Sequence, residues 1–311
     1  SSRVSFIGNW SYPLCSLIAM GLTPLISAEW NWRVQLLIPA ILSLIATALA
    51  WRYFPESPRW LESRGRYQEA EKVMRSIEEG VIHQTGKPLP PVVIADDGKT
   101  PQAVPYSALL TGVLLKRVIL GSCVLIAMNV VQYTLINWLP TIFMTQGINL
   151  KDSIVLNTMS MFGAPFGIFI AMLVMDKIPR KTMGVGLLIL IAVLGYIYSL
   201  QTSMLLITLI GFFLITFVYM YVCYASAVYV PEIWPTEAKL RGSGLANAVG
   251  RISGIAAPYA VAVLLSSYGV TGVFILLGAV SIIVAIAIAT IGIETKGVSV
   301  ESLSIDAVAN K

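Results

Sequence analysis

The chain has 311 residues, of which 57% are hydrophobic and only 12% charged, with a net charge of +5. A soluble domain carries about a quarter charged residues, so the composition excludes one and describes a protein of the lipid bilayer. Continuous apolar runs such as Gly184 to Gly195 show no alternation, which excludes a β-barrel, and the positive charge follows from topology and not from nucleic-acid binding.

A membrane helix needs about 20 apolar residues. The first two such runs are Ile7 to Ser27 and Val34 to Phe54. The chain begins at Ser1, close before a membrane run and without a cleavable signal peptide, and is expected to be a piece of something longer.

The second run ends in Pro55-Glu56-Ser57-Pro58-Arg59-Trp60-Leu61. Ser57 suits a helix cap with Pro58 at the first position, where a missing N–H costs no hydrogen bond, and Gly65 suits the end of that turn. Ala70, Val73, Met74 and Ile77 recur at helical spacing and predict a short amphipathic helix able to lie under the membrane domain, with order weakening beyond Gly80. Pro88, Pro90, Pro91, Pro101 and Pro105, with Asp96, Asp97 and Gly98 among them, read as an extended linker. His83 is the only histidine and lies in this polar stretch, so an imidazole metal cluster is excluded and no cofactor is expected.

Six further runs follow: Val118 to Phe143, Ile154 to Met175, Met183 to Leu200, Met204 to Val230, Leu245 to Leu265 and Val273 to Ile291. The fold class is therefore an all-α membrane protein with eight transmembrane helices. Cys15, Cys123 and Cys223 lie in three different runs, where cysteine behaves as a small buried hydrophobe, so no disulfide is expected. Threading eight crossings puts Arg3, the block from Arg52 to Arg117, Lys177, Arg180, Lys181, Lys239, Arg241 and Lys296 on one side, against Arg33 and Lys151 on the other. Positive residues accumulate in the cytoplasm, which predicts both chain ends there. The expected domains are residues 1–56 with two helices, a cytoplasmic linker over 57–106, six helices over 107–297 and a tail over 298–311.

A polar group in hydrocarbon is costly and usually faces a cavity or a partner. Three sets stand out as candidate substrate-binding residues: Asn129, Gln132, Tyr133 and Asn137 in the third run, Phe217, Tyr221 and Tyr224 in the sixth, and Asn247 with Arg251 in the seventh. Each set recurs at steps of three or four and so shares a helix face. Arg251 lies ten positions after Arg241, about 15 Å along a helix, which is near mid-membrane. Its guanidinium can hold a carboxylate through two parallel hydrogen bonds; pairing with a carboxylate at the gate or snorkelling to the surface are open alternatives. The aromatic rings can line a cavity or simply pack. Glycines in Gly163-Ala164-Pro165-Phe166-Gly167 and Gly242-Ser243-Gly244 allow close helix contacts, and Pro140 and Pro258 can supply bends. No run holds an interior Asp or Glu, so a proton has no evident carrier here.

The charged helix ends carry a resemblance. Pro55 to Leu61 resembles the signature after the sixth helix of major facilitator superfamily transporters, in the part of the family that includes sugar porters and organic-ion transporters. Asp176-Lys177-Ile178-Pro179-Arg180-Lys181 resembles the family's loop between helices eight and nine, and Pro231-Glu232 with Pro235-Thr236-Glu237 and Arg241-Gly242 resembles the loop after helix ten. Glu294-Thr295-Lys296-Gly297 resembles the signature after helix twelve, with Ile293 in place of proline. The resemblance implies a major facilitator fold in which these eight helices are five to twelve of twelve. It also implies a cytoplasmic gate of Glu56, Arg59, Asp176, Arg180, Lys181, Glu232, Glu237, Arg241 and Glu294, against the plainer reading of charges that obey topology. Gly250-Arg251-Ile252-Ser253-Gly254-Ile255-Ala256-Ala257-Pro258 resembles the eleventh helix of organic-ion transporters, where an arginine faces the cavity and favours anions.

The expectation is a secondary active transporter of a small organic solute, an organic anion or aromatic acid, working by alternating access as a monomer in the bilayer, with proton coupling implied by resemblance alone. A sugar or polyol symporter is the alternative within transport. Against it, the third run reads Asn129-Val130-Val131-Gln132-Tyr133 where sugar porters carry a paired-glutamine pattern. A non-transporting receptor is the alternative of another class. An enzyme is not expected, since no nucleophile, metal cluster or carboxylate pair lies within the runs.

Overall fold

The computed structural model describes residues 33–53, 56–86, 105–145, 147–201, 203–235 and 238–296. The run from Ile7 to Ser27, most of the proline-rich linker, Glu237 and the tail after Lys296 lie outside the described residues. The chain divides into two compact units, one of Leu22–Thr100 and the other of Ser1–Gly21 with Pro101–Lys311.

In the first unit, α1 (Arg33–Tyr53) is an apolar helix of 21 residues, about 30 Å long and so matched to a hydrocarbon core. Pro58 opens α2 (Pro58–Ser63), and Gly65, with φ 75°, turns the chain into α3 (Tyr67–Thr85). Leu61 and Ala70 are buried where α2 meets α3. Between Gly80 and Gly86, the described part of the stretch where order is expected to weaken, the chain stays helical. Helix α3 runs five residues further, to Thr85, because one glycine costs an exposed helix only about 1 kcal/mol, and Gly86, at φ 63°, ends it with a left-handed cap.

The second unit holds the remaining spans. After the short α4 (Tyr106–Leu109) come α5 (Gly112–Thr145), α6 (Leu150–Met161), α7 (Gly163–Val174), α8 (Arg180–Ser199) and α9 (Met204–Val222). Asn149 caps α6 by accepting the Asp152 N–H at 2.8 Å, while its amide reaches the Asp152 carboxylate at 2.7 Å. Helices α6 and α7 follow one another through Phe162 and together make one membrane-length segment. Helix α9 widens into a π-helical segment, Cys223–Tyr229, before the single turn α10 (Val230–Glu232). Pro231 has no N–H to give an α-type bond, and such widened turns recur at functional sites.

The last element, α11 (Lys239–Ile291), is 53 residues long, about 80 Å and more than twice the thickness of a hydrocarbon core. It breaks at Gly269, where φ 65° and ψ −160° fall in a region essentially reserved for glycine. The break separates the two expected runs Leu245 to Leu265 and Val273 to Ile291. Small residues set how closely these helices approach. Cβ atoms added at Gly163 and Gly167 of α7 would lie 2.2 Å from the carbonyl oxygens of Phe212 and Thr216 on α9. A Cβ at Gly242 of α11 would meet the buried Trp234 ring at 2.4 Å, whereas Gly244 has open space around it.

Candidate functional site

Two groups of polar residues stand out in the six-span unit. The first joins α5 to α11. Asn129 is buried and donates its amide to the Leu125 carbonyl one turn earlier at 2.7 Å. Gly250 of α11 packs on that turn, with a Cβ position 2.8 Å from Leu125 Cβ and 3.0 Å from Asn129 Nδ2. Next to it Arg251, exposed within this chain, donates from Nη1 to the Tyr133 hydroxyl at 2.5 Å. Gln132 is half-buried and pairs with the Tyr219 hydroxyl. Asn137 is exposed one turn after Tyr133, and Asn247 is exposed with its amide on the Ser243 carbonyl at 2.9 Å.

The aromatic set divides. Phe217 is half-buried, but Tyr221 and Tyr224 are wholly enclosed, which favours the packing reading of these two rings over a place in a cavity wall. The Tyr221 hydroxyl donates to the Val124 carbonyl of α5 at 3.1 Å. Tyr224 lies between Tyr221 and Tyr229, with ring centres at 5.7 and 5.0 Å. Burial of these large rings is packing between α9 and its neighbours. Spacing alone leaves the two readings open because α9 is surrounded on more than one face and the π turns shift the register from Cys223 onward.

The second group gathers three helix ends. The Arg180 side chain, 7% exposed, forms a two-point bridge to Glu232, Nε to Oε2 at 3.1 Å and Nη2 to Oε1 at 3.2 Å, the fork geometry that a guanidinium favours. It also donates to the Met175 carbonyl and stands 3.7 Å from the exposed Asp176. Thr295 donates its hydroxyl to Glu232 at 2.6 Å. The Glu294 carboxylate accepts the N–H groups of Arg180, Lys181 and Lys296 at 2.7, 3.1 and 3.1 Å. Helix α8 begins behind Pro179, whose side chain cannot cap it, so a carboxylate from the far end of α11 does so.

The Tyr229 hydroxyl donates to the Ile293 carbonyl at 3.1 Å and accepts the Ile293 N–H at 3.0 Å, and Lys296 Nζ donates to the Lys177 carbonyl at 2.6 Å. Arg241 lies over the Tyr106 ring at 5.2 Å. Of the remaining expected gate residues, Glu56 is exposed in the other unit, and the Arg59 side chain and Glu237 lie outside the described residues. Tyr229 and Thr295 were not anticipated. Their one signal is position: Tyr229 lies two residues before Pro231-Glu232 and bonds Ile293 at the closing signature, while Thr295 lies within that signature and bonds Glu232.

Partial burial on its own would raise the Glu294 carboxyl; the three N–H donors and the Arg180 charge outweigh it and hold it below its ordinary value of 4.5. A carboxyl held low stabilises the fold above its unfolded value and loses that contribution as the pH falls through the folded value. The melting temperature of the complete protein is therefore expected to drop on acidification below about pH 4.5. Glu294→Gln should flatten that part of the profile, and a profile unchanged by the substitution would assign the drop to other groups.

Residues 3–258 match the family described as Major Facilitator Superfamily. The chain is 99% identical over all of its 311 residues to YdjK of Escherichia coli (strain K12), a protein named for metabolite transport, and covers 68% of it. It is 44% identical to the inner membrane metabolite transport protein YdjE of the same organism, with 98% of this chain and 67% of that protein aligned. The solved structure of the proton:xylose symporter XylE bound to 6-bromo-6-deoxy-D-glucose shares the fold with a TM-score of 0.65 at 20% identity, covering 97% of this chain and 66% of that one. The chain thus spans about two thirds of each of these proteins. On the extent of the family match and the identity to these relatives, the chain belongs to the Major Facilitator Superfamily.

Proposed function

We propose that the protein is a secondary active transporter that moves a small organic anion across the bacterial inner membrane by alternating access. The observation that carries this reading is Arg251. It is a cation on an apolar helix, seated against α5 by glycine and held by a phenol hydroxyl, with the rest of its fork uncommitted among the described residues. Such a group in a membrane protein is a functional site by default, and a guanidinium fork suits a carboxylate. Gln132, Asn137, Phe217 and Asn247 are the other residues proposed around the solute, with Tyr133 acting through its bond to Arg251 and Asn129 through packing.

The Arg180, Glu232 and Glu294 cluster is proposed as the C-terminal half's share of a cytoplasmic gate, with both chain ends and the linker on the cytoplasmic side. Its bonds within the described unit join the ends of three spans into one rigid plate, which supports the movement of one half against the other. Proton coupling is part of the proposal, by likeness to the fold of a proton symporter. A sugar or polyol symporter is the second reading, favoured by that same likeness and by the loop signatures.

The test uses the full-length protein with three probes: benzoate, its neutral isostere benzamide, and xylose. Benzoate is expected to bind and to be taken up by proteoliposomes. Arg251→Ala should weaken benzoate by about 3 kcal/mol, roughly a hundredfold, through loss of a charged hydrogen-bonding partner. Binding of xylose alone would move the assignment to the second reading, and binding of benzoate without uptake would make the protein a receptor.

A further inference from the structure

We infer that Tyr133 is a positioning residue for Arg251, and that Gly254 is the residue that makes this possible. The inference rests on the anion reading of Arg251 for its second arm only. The guanidinium donates from Nη1 to the Tyr133 hydroxyl at 2.5 Å. Five N–H groups radiate in a fixed plane from an arginine head, so anchoring one corner orients the whole fork and leaves the edge formed by Nε and Nη2 for a ligand. Without an anchor, an arginine stem samples many rotamers and a ligand must order it on binding.

The anchor works because the ring of Tyr133 lies against the α11 backbone. A Cβ at Gly254 would stand 3.2 Å from both Cδ2 and Cε2 of that ring and 3.7 Å from Asn129 Cβ. Such contact is tighter than carbon atoms ordinarily accept, so a larger residue at 254 pushes the ring, and with it the hydroxyl, away from Arg251. Gly250 does the same for the preceding turn, where Leu125 and Asn129 close on α11. The two glycines, one turn apart, therefore bring α5 close enough for a tyrosine to reach across to the arginine that follows the first of them. The phenol oxygen accepts from the cation and keeps its own O–H as a donor.

The first arm needs no ligand. Phenylglyoxal labels arginines, and the tryptic peptide carrying Arg251 reports its rate in the full-length protein by mass spectrometry. Tyr133→Phe keeps the ring and its packing and removes only the hydroxyl. Labelling of Arg251 is expected to rise about fivefold in Tyr133→Phe, and in the same direction in Gly254→Ala, while Arg241 is unchanged, as loss of one charge-assisted hydrogen bond would produce. Equal rates in wild type and Tyr133→Phe overturn the inference.

The second arm uses benzoate and benzamide. Tyr133→Phe is expected to weaken benzoate about tenfold and to leave benzamide unchanged. In an Arg251→Ala background the same change should do nothing further. A further loss there would make Tyr133 a direct solute contact and overturn its positioning role. If the wild-type protein ignores benzoate, the anion reading of Arg251 fails, and the labelling arm still decides whether Tyr133 holds the arginine.

Discussion

Gly167→Ala is expected to lower the melting temperature of the full-length protein more than Gly254→Ala or Gly186→Ala. A Cβ at 167 would lie 2.2 Å from the Thr216 carbonyl oxygen and 3.1 Å from its Cα. The obstacle is backbone, which cannot rotate out of the way as the end of a side chain can. Helices α7 and α9 must separate by roughly an ångström, and overpacking of this kind costs about 1–3 kcal/mol and occasionally more. Separation also opens the neighbouring contact of Gly163 with Phe212, so the cost is expected at or above the top of that range. Gly167→Leu should leave no folded protein in detergent. Gly186→Ala is the control, because nothing stands within 4 Å of its Cβ position and alanine is the better helix former. Equal melting temperatures for Gly167→Ala and Gly186→Ala would show that the two helices do not pack this closely.

Arg180→Ala is the second large effect. It removes both arms of the bridge to Glu232 and the bond to the Met175 carbonyl. Breaking a fully buried pair costs about 3–5 kcal/mol. Here the Glu232 side chain is 35% exposed, and water and the Thr295 hydroxyl compensate in part, so about 2 kcal/mol is the expected loss. Arg180→Lys should recover little, since an ammonium cannot reproduce a two-point bridge. A double-mutant cycle between Arg180 and Glu232, read by denaturant or thermal melts, is expected to show coupling of about 1–2 kcal/mol. Coupling near zero would reduce the pair to a surface contact.

The two changes probe different links. Gly167 tests whether the spans pack through small residues in the absence of a hydrophobic drive between helices. Arg180 tests whether the ends of those spans are tied into one plate. If the plate serves as half of a gate, Arg180→Ala should also alter the balance of inward-open and outward-open states, because several modest ion pairs can tilt such an equilibrium without locking it.

The spans were legible because the bilayer imposes a length. About 20 apolar residues are needed whatever the neighbours are, so α5 contains the expected run Val118 to Phe143, α1 and α8 each end one residue short of theirs, α9 begins the run that the π turns continue, and the interruption at Gly269 falls between two others. The charged ends were legible for a related reason: Arg180, Glu232 and Glu294 stop apolar runs and cannot enter hydrocarbon unpaired. Their partners were not legible. Arg180 and Glu232 are 52 positions apart and Arg180 and Glu294 are 114 apart, and nothing local links them. The one hint was Pro179, a residue unable to cap the helix it precedes, which left α8 in need of a donor-satisfying group from elsewhere.

The orientation of aromatic residues shows the opposite case. Steps of three and four put Phe217, Tyr221 and Tyr224 on one side of a helix, yet in a helix with neighbours on more than one side every face is apolar, and periodicity no longer distinguishes a cavity wall from a packed seam. The π turns from Cys223 to Tyr229 then change the angular step itself. Arg251 and Tyr133 were singled out separately, as polar residues in hydrocarbon, while their meeting depends on Gly250 and Gly254 bringing two helices together.

Sequence alone thus determined the environment, the spans, the charged stops and the family, because hydropathy, chain length and charge act on each segment independently of the rest. Tertiary structure alone decided which polar groups meet: that Glu294 caps α8, that Tyr221 and Tyr224 are core, and that Tyr133 reaches Arg251. Those outcomes depend on distances between helices, which are set by where two backbones can touch and not by the residues of either helix taken singly.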